Sequence, residues 1–253
     1  IQKEEPSMTE LSKRLSAIAA MVDHGARFAD IGTDHGYLPI YLTEQGICPS
    51  SIALDVKDGP LSRARTHVQE AGLERQITLR KSDGFEALKP GEADTAVIAG
   101  MGGLLMIRLL ENGKETVRGM RQLLLSPQSE IGQVRRYLLE QGYRISREQM
   151  ILEDGKYYVI LEARPGNEEP WTYIEEEFGR HLLASGDPVV GAWLEKELLT
   201  QKTIKRTLLS AASERAGERL GSIEERIRLL EQGIARFQRE APDLEGGTGN
   251  DGL

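Results

Sequence analysis

What most constrains the fold of this chain is an alternation. Short apolar runs bounded by glycine or an acid, at 27–31, 51–55, 77–81, 95–99 and 122–125, are separated by segments with helical spacing of apolar residues, at 12–22, 38–45, 59–71, 103–112 and 131–141. Short runs without polar alternation suit strands buried on both faces. Strands alternating with helices predict a mostly parallel α/β sheet covered by helices on both sides. Two further runs, 143–152 and 157–163, flank Glu153-Asp154-Gly155-Lys156. Asp-Gly between strand-like runs predicts an antiparallel hairpin closing one edge of the sheet.

The alternation stops at Arg164-Pro165-Gly166-Asn167-Glu168-Glu169-Pro170, a stretch of prolines, glycine and acids that reads as a boundary. Beyond it every segment reads as helix, at 171–184, 189–212 and 217–239. In the last, Leu220, Ile223, Ile227, Leu230, Ile234 and Phe237 follow the 3, 4, 3, 4, 3 spacing of a heptad seam, which predicts an antiparallel coiled-coil hairpin with the preceding helix. The expected division is an α/β domain over 1–165, a helical coiled-coil domain over 166–241 and a disordered acidic tail over 242–253. No apolar run approaches the roughly 18 residues of a membrane helix, and the first ten residues are too polar for a signal peptide. The single cysteine, Cys48, excludes an intramolecular disulfide and a cysteine-based zinc site. The expectation is a cytoplasmic monomer with no metal and no membrane partner.

The strand ends carry the chemistry. The first runs into Asp30-Ile31-Gly32-Thr33-Asp34-His35-Gly36, where glycines let a small molecule approach the backbone. The glycine spacing is not that of a dinucleotide fingerprint. Asp30 can engage the cationic methionine end of S-adenosylmethionine, and Asp34 would repel a pyrophosphate at the helix start, which disfavours a nicotinamide cofactor. A plain turn capped by Asp34 is the competing reading. Asp55, followed by Val56, stands about 20 residues further on at the end of the second strand, where an acid binds ribose hydroxyls. Asp83-Gly84 follows the third strand and can meet an adenine amino group, though Asp-Gly is also ordinary turn chemistry. The fourth strand ends in Gly100-Met101-Gly102-Gly103, a flat floor without the Asn/Asp-Pro-Pro-aromatic motif of many amino-methylating enzymes. Ser126-Pro127-Gln128, after the fifth strand, is either another wall or a turn.

Together with Leu11-Ser12-Lys13-Arg14-Leu15 and Asp154-Gly155-Lys156-Tyr157-Tyr158, the Asp30 to Pro39 and Ile98 to Gly103 blocks resemble the bacterial tRNA adenine-22 N1-methyltransferase family, TrmK, over nearly the whole chain. The resemblance implies a Rossmann-like class I methyltransferase sheet over 1–165. It also implies methyl transfer from S-adenosylmethionine to N1 of an adenine in the D-loop region of tRNA. It maps the cofactor loop to Asp30, Gly32, Thr33, Asp34 and His35, the ribose acid to Asp55 with Val56, the adenine acid to Asp83 with Gly84, and the glycine block to Gly100, Met101, Gly102 and Gly103.

Neutral adenine already has a lone pair on N1, so the reaction needs no strong base, only close approach and acceptors that favour the developing cation. Asp34 is the expected electrostatic residue and Tyr157 the expected stacking partner of the target base; Arg14 can reach a phosphate or the methionine carboxylate. Each has a plain alternative: a cap, an aromatic covering the sheet edge, a solvated helix charge. Because N1 is on the pairing edge, the nucleotide must leave its helix to react. The net charge of -8 opposes indiscriminate binding to RNA, yet 192–239 carries 10 basic against 7 acidic residues. Lys196, Lys202, Lys205, Arg206, Arg215 and Arg219 are therefore the expected tRNA contacts, since phosphate binding follows local charge. The competing functions are a small-molecule methyltransferase and a non-enzymatic RNA-binding module on the same fold.

Overall fold

A computed structural model describes residues 11–210 and 214–240, with the side chains of 214–218 excepted, so the expected tail over 242–253 and the Arg215 side chain lie outside the described residues. The chain divides into two compact units, Ile1–Pro170 and Trp171–Leu253. The first ends later than the expected 165 because the connection stays bonded to the sheet: the Ile145 backbone N–H donates to Glu168 Oε1 at 2.6 Å.

In the first unit the elements are α1 (Lys13–Ala19), β1 (Arg27–Ile31), α2 (Tyr37–Glu44), β2 (Ser50–Asp55), α3 (Asp58–Glu70), β3 (Ile77–Lys81), β4 (Thr95–Ala99), α4 (Gly103–Asn112), α5 (Lys114–Val117), β5 (Gln122–Ser126), α6 (Ile131–Glu140), β6 (Tyr143–Glu153) and β7 (Lys156–Pro165). They build one seven-stranded sheet in the order β3-β2-β1-β4-β5-β7-β6. The β1, β2, β3, β4 and β5 ladders are parallel, and β7 runs antiparallel to both β5 and β6. This is the α/β architecture expected from the alternation, with helices supplying the crossovers that parallel strands require. Ala96, Val97, Ile98, Leu123, Leu124 and Leu125 are all buried, which is why the central strands read as unbroken apolar runs. One face of the sheet packs Phe28, Val97, Leu124 and Ile160 against Ile18, Leu38 and Leu42 of α1 and α2. The hairpin turn has Asp154 at φ 49° and Gly155 at φ 74°. Both central residues in the left-handed region match the twist of a tight hairpin.

In the second unit the expected helix over 171–184 is two short ones, α7 (Tyr173–Phe178) and α8 (Arg180–Leu183), broken at Gly179 with φ 93°. A reciprocal capping box starts α7: Thr172 accepts from the Glu175 backbone, and Glu175 accepts from the Thr172 backbone. Such a cap is worth about 1 kcal/mol. Two long helices follow, α9 (Pro188–Ser210) and α10 (Glu214–Glu240). Lys202 pairs with Glu231 and Lys205 with Glu224, while Gly191 lies beside Phe237, so position rises along α9 as it falls along α10. The pair is antiparallel. Ile227 and Leu230 of the seam are buried, and Gly233 leaves room for the Phe178 ring, which a Cβ there would approach to 2.9 Å.

Candidate active site

The strand order reverses between β2-β1 and β4, and in open α/β sheets the crevice beyond the carboxyl ends at such a switch point is where ligands bind. A cavity of about 210 Å³ lies there, lined by Arg14, Asp30, Gly32, Thr33, Asp34 and His35 together with Tyr37 and Ala99. Six of the sequence-expected residues thus meet in one place.

Asp30 is 9% exposed at the end of β1. Burial pushes its carboxyl up to about 6; the Thr33 hydroxyl opposes the shift and the charge of Asp55 adds to it. A buried carboxylate without a cation is costly, so the site is arranged to receive one. Gly32 has φ 83°, a left-handed conformation that favours glycine, and the Met101 methyl group occupies the place a Cβ would take. Asp55 lies one strand over, with Oδ1 accepting from the Lys57 N–H at 2.8 Å. Arg14 reaches in from α1 and lies over the Tyr158 ring at 4.8 Å from its centroid. Its Nε and Nη1 are buried without a hydrogen-bond partner among the described residues, as are His35 Nδ1 and the Ser126 hydroxyl at the end of β5. Native interiors satisfy nearly all buried polar groups, so these orphaned atoms on one edge mark a place where a polar ligand completes the set.

Asp34 is at the mouth, its side chain 67% exposed, with Oδ1 accepting from Arg63 at 2.6 Å and Oδ2 3.5 Å from His35 Nε2. The rings of His35, Tyr37 and His67 stack with centroids 5.0 to 5.5 Å apart. Arg63, Tyr37 and His67 had not been singled out in the sequence. The available signal was the four-residue spacing of Arg63 and His67 on α3, which puts both on one helix face.

Several expected residues lie away from this cavity or have a packing role. Successive strand residues point to opposite faces. Since Tyr158 carries Arg14, Tyr157 belongs to the other face, opposite Leu152 in the hairpin, and is not among the residues that line the cavity. Gly84 is a packing residue: it is buried with φ 58°, and a Cβ there would come within 2.8 Å of Leu109 on α4. Asp83 beside it is exposed and, like Asp55, is not among the residues that line the cavity. In the glycine block, a Cβ on Gly103 would come within 2.5 Å of the Ser129 carbonyl, and Gly102 faces Ser129, so both serve the packing of α4 on the loop after β5. Gly100, at φ 80°, faces Arg14 and Gln128. Val56 is exposed next to Asp55.

On the hairpin, Lys202 and Lys205 are tied to Glu231 and Glu224 at 2.9 and 2.7 Å. Lys196 also has a partner. Arg206 and Arg219 are exposed and have no ion pair among the described residues. No group of three or more histidine, cysteine or acidic residues suited to a metal ion occurs among the described residues, and no described helix is long and apolar enough to cross a membrane.

Residues 11–161 match a family described as a methyltransferase domain. The tRNA (adenine(22)-N(1))-methyltransferase of Bacillus subtilis strain 168 is 34% identical over 231 residues, covering 89% of this chain and 97% of that protein. A Streptococcus pneumoniae structure solved in complex with S-adenosyl-L-methionine superposes with a TM-score of 0.79 at 31% identity, over 89% of this chain and all of its own. TrmK of M. capricolum, solved with the cofactor product S-adenosyl-homocysteine, gives a TM-score of 0.81 at 26% identity, over 91% of this chain and all of its own.

Proposed function

From the premise that the chain belongs to the bacterial tRNA (adenine-22-N1)-methyltransferase family, we propose that it transfers a methyl group from S-adenosylmethionine to N1 of adenine 22 in tRNA. The observation that carries this reading is the convergence at the switch point of a buried acid, a glycine cradle and a guanidinium whose buried Nε and Nη1 have no hydrogen-bond partner among the described residues. They fit the charges of the cofactor's amino-acid end. Asp30 would hold its ammonium, Arg14 its carboxylate, and Asp55 its ribose hydroxyls; Gly32 leaves the backbone open beside it. When bound, the cofactor supplies an electrophilic methyl on a sulfonium.

The chain's own residues then have little covalent chemistry to perform. No proton has to leave adenine N1 before attack, so no general base is required. The product ring is cationic, and Asp34 at the mouth stabilises that charge while Arg63 and His35 hold its carboxylate in place. The Tyr37 ring, 39% exposed at the same mouth, offers a face on which an extruded base stacks. Arg206 and Arg219 have no ion pair among the described residues, and contact with tRNA phosphates is their part in this reading. The same reading puts the protein in the cytoplasm with its tRNA substrate.

The test is transfer of labelled methyl from S-adenosylmethionine to unmodified bacterial tRNA, with the position mapped by a reverse-transcription stop. Label at adenine 22 is expected. Label at another nucleotide, or none, overturns the reading, and Asp34→Asn should slow transfer while leaving cofactor affinity intact.

A further inference from the structure

We infer that Gln128 is the residue that recognises the target adenine, reading its N6 amino group and N7 with one carboxamide; the inference rests on the function proposed above. The β4 loop offers only backbone groups for this. Gly100, Gly102 and Gly103 have no side chains, and Met101 turns its methyl toward Gly32. A base must nonetheless be chosen and oriented.

The loop after β5 supplies the missing group. Its Gln128 backbone N–H donates to the Met101 carbonyl at 2.8 Å, which pins this loop to the glycine block. The preceding Pro127 restricts the backbone further. At Gly100 the position of a Cβ would be 3.5 Å from Arg14 Nη1 and 3.9 Å from Gln128 Nε2, so the carboxamide and a cavity-lining guanidinium converge on one point. The Gln128 side chain is exposed, and no group among the described residues bonds to it. It is positioned by its backbone and free at its tip.

The reaction decides which edge of adenine such a group can read. N1 must face the methyl donor, so the pairing edge cannot be held by a direct hydrogen bond at N1. The N6 and N7 edge is left. A glutamine carboxamide accepts from N6–H and donates to N7, a pairing with one donor and one acceptor that guanine, with O6 and N7 both acceptors, does not satisfy. Loss of such a bidentate contact costs about tenfold to a hundredfold in discrimination.

The experiment uses the full chain, S-adenosylmethionine, and two tRNAs with adenine or 7-deazaadenine at position 22, the latter lacking the N7 acceptor. Wild type should lose at least about tenfold in kcat/KM and in tRNA affinity on 7-deazaadenine. Gln128→Ala should lose a similar factor on adenine and show no further loss on 7-deazaadenine, with cofactor affinity by calorimetry and thermal unfolding unchanged. A 7-deaza penalty equally large in Gln128→Ala, a wild type indifferent to the substitution, or weakened cofactor binding in the variant overturns the assignment. Failure of wild type to methylate the adenine tRNA overturns the proposed function itself, and so is distinguished from failure of Gln128.

Discussion

Asp30 sets the pH behaviour of the site. Its native pKa, about 6, is above the ordinary 3.8, so between those values the folded chain binds a proton that the unfolded chain has released. Its contribution to stability is complete below about 3.8 and is lost as pH rises through about 6. At neutral pH without cofactor the buried charge is a net cost. Asp30→Asn should therefore unfold at a higher temperature than wild type at pH 7 in the absence of cofactor. A cationic ligand reverses the sign, because it binds the carboxylate and not the acid. Cofactor affinity measured by calorimetry should fall about tenfold between pH 7 and pH 5 in wild type and stay flat in Asp30→Asn. A wild-type affinity independent of pH would contradict the role. Which side chains meet Asp34 was not legible locally: Arg63 is 29 positions away, and His67, 32 positions from His35, completes the stack.

Among the elements, the parallel strands were legible because they are buried on both faces and need no polar alternation. The hairpin was legible because Asp154-Gly155 accepts two positive φ values. The break between α7 and α8 was not, since Gly179 in an apolar helical pattern reads equally as a tolerated interior glycine. What fixes that break is Glu175. It accepts from the Thr172 N–H at 2.5 Å, from Arg180 at 2.7 Å and from Arg236 of α10 at 2.8 Å. Burial alone would raise its pKa, but the bonds from Arg180 and Thr172 outweigh it and hold the carboxyl down at about 2. With a native pKa below the unfolded 4.5, its stabilisation is full above about 4.5 and is lost as pH falls toward 2. Glu175→Ala removes the buried carboxylate that the half-buried Arg180 and Arg236 share and should cost about 2 kcal/mol. Hydrogen exchange of α7 and α10 amides reads this directly, and unchanged protection would refute it.

Across the whole molecule the charge of -8 describes an average, and the hairpin reverses it locally. Binding to tRNA should be salt-sensitive while cofactor binding is not. Arg206→Ala and Arg219→Ala should each lower the slope of log affinity against log salt by about one, with the cofactor constant unchanged. An unchanged slope would remove the hairpin arginines from the interface. The sequence by itself determined the sheet, its order of acids and glycines, and the seam of the last helix, because burial and backbone freedom constrain residue type locally. Tertiary structure alone decided that Tyr158 and not Tyr157 meets Arg14, that Gly84 serves packing, that Lys202 and Lys205 are already paired, and that Gln128 comes to Gly100. Those outcomes depend on strand facing, on helix register and on loops brought together from distant positions, and no spacing along the chain encodes a distance through space.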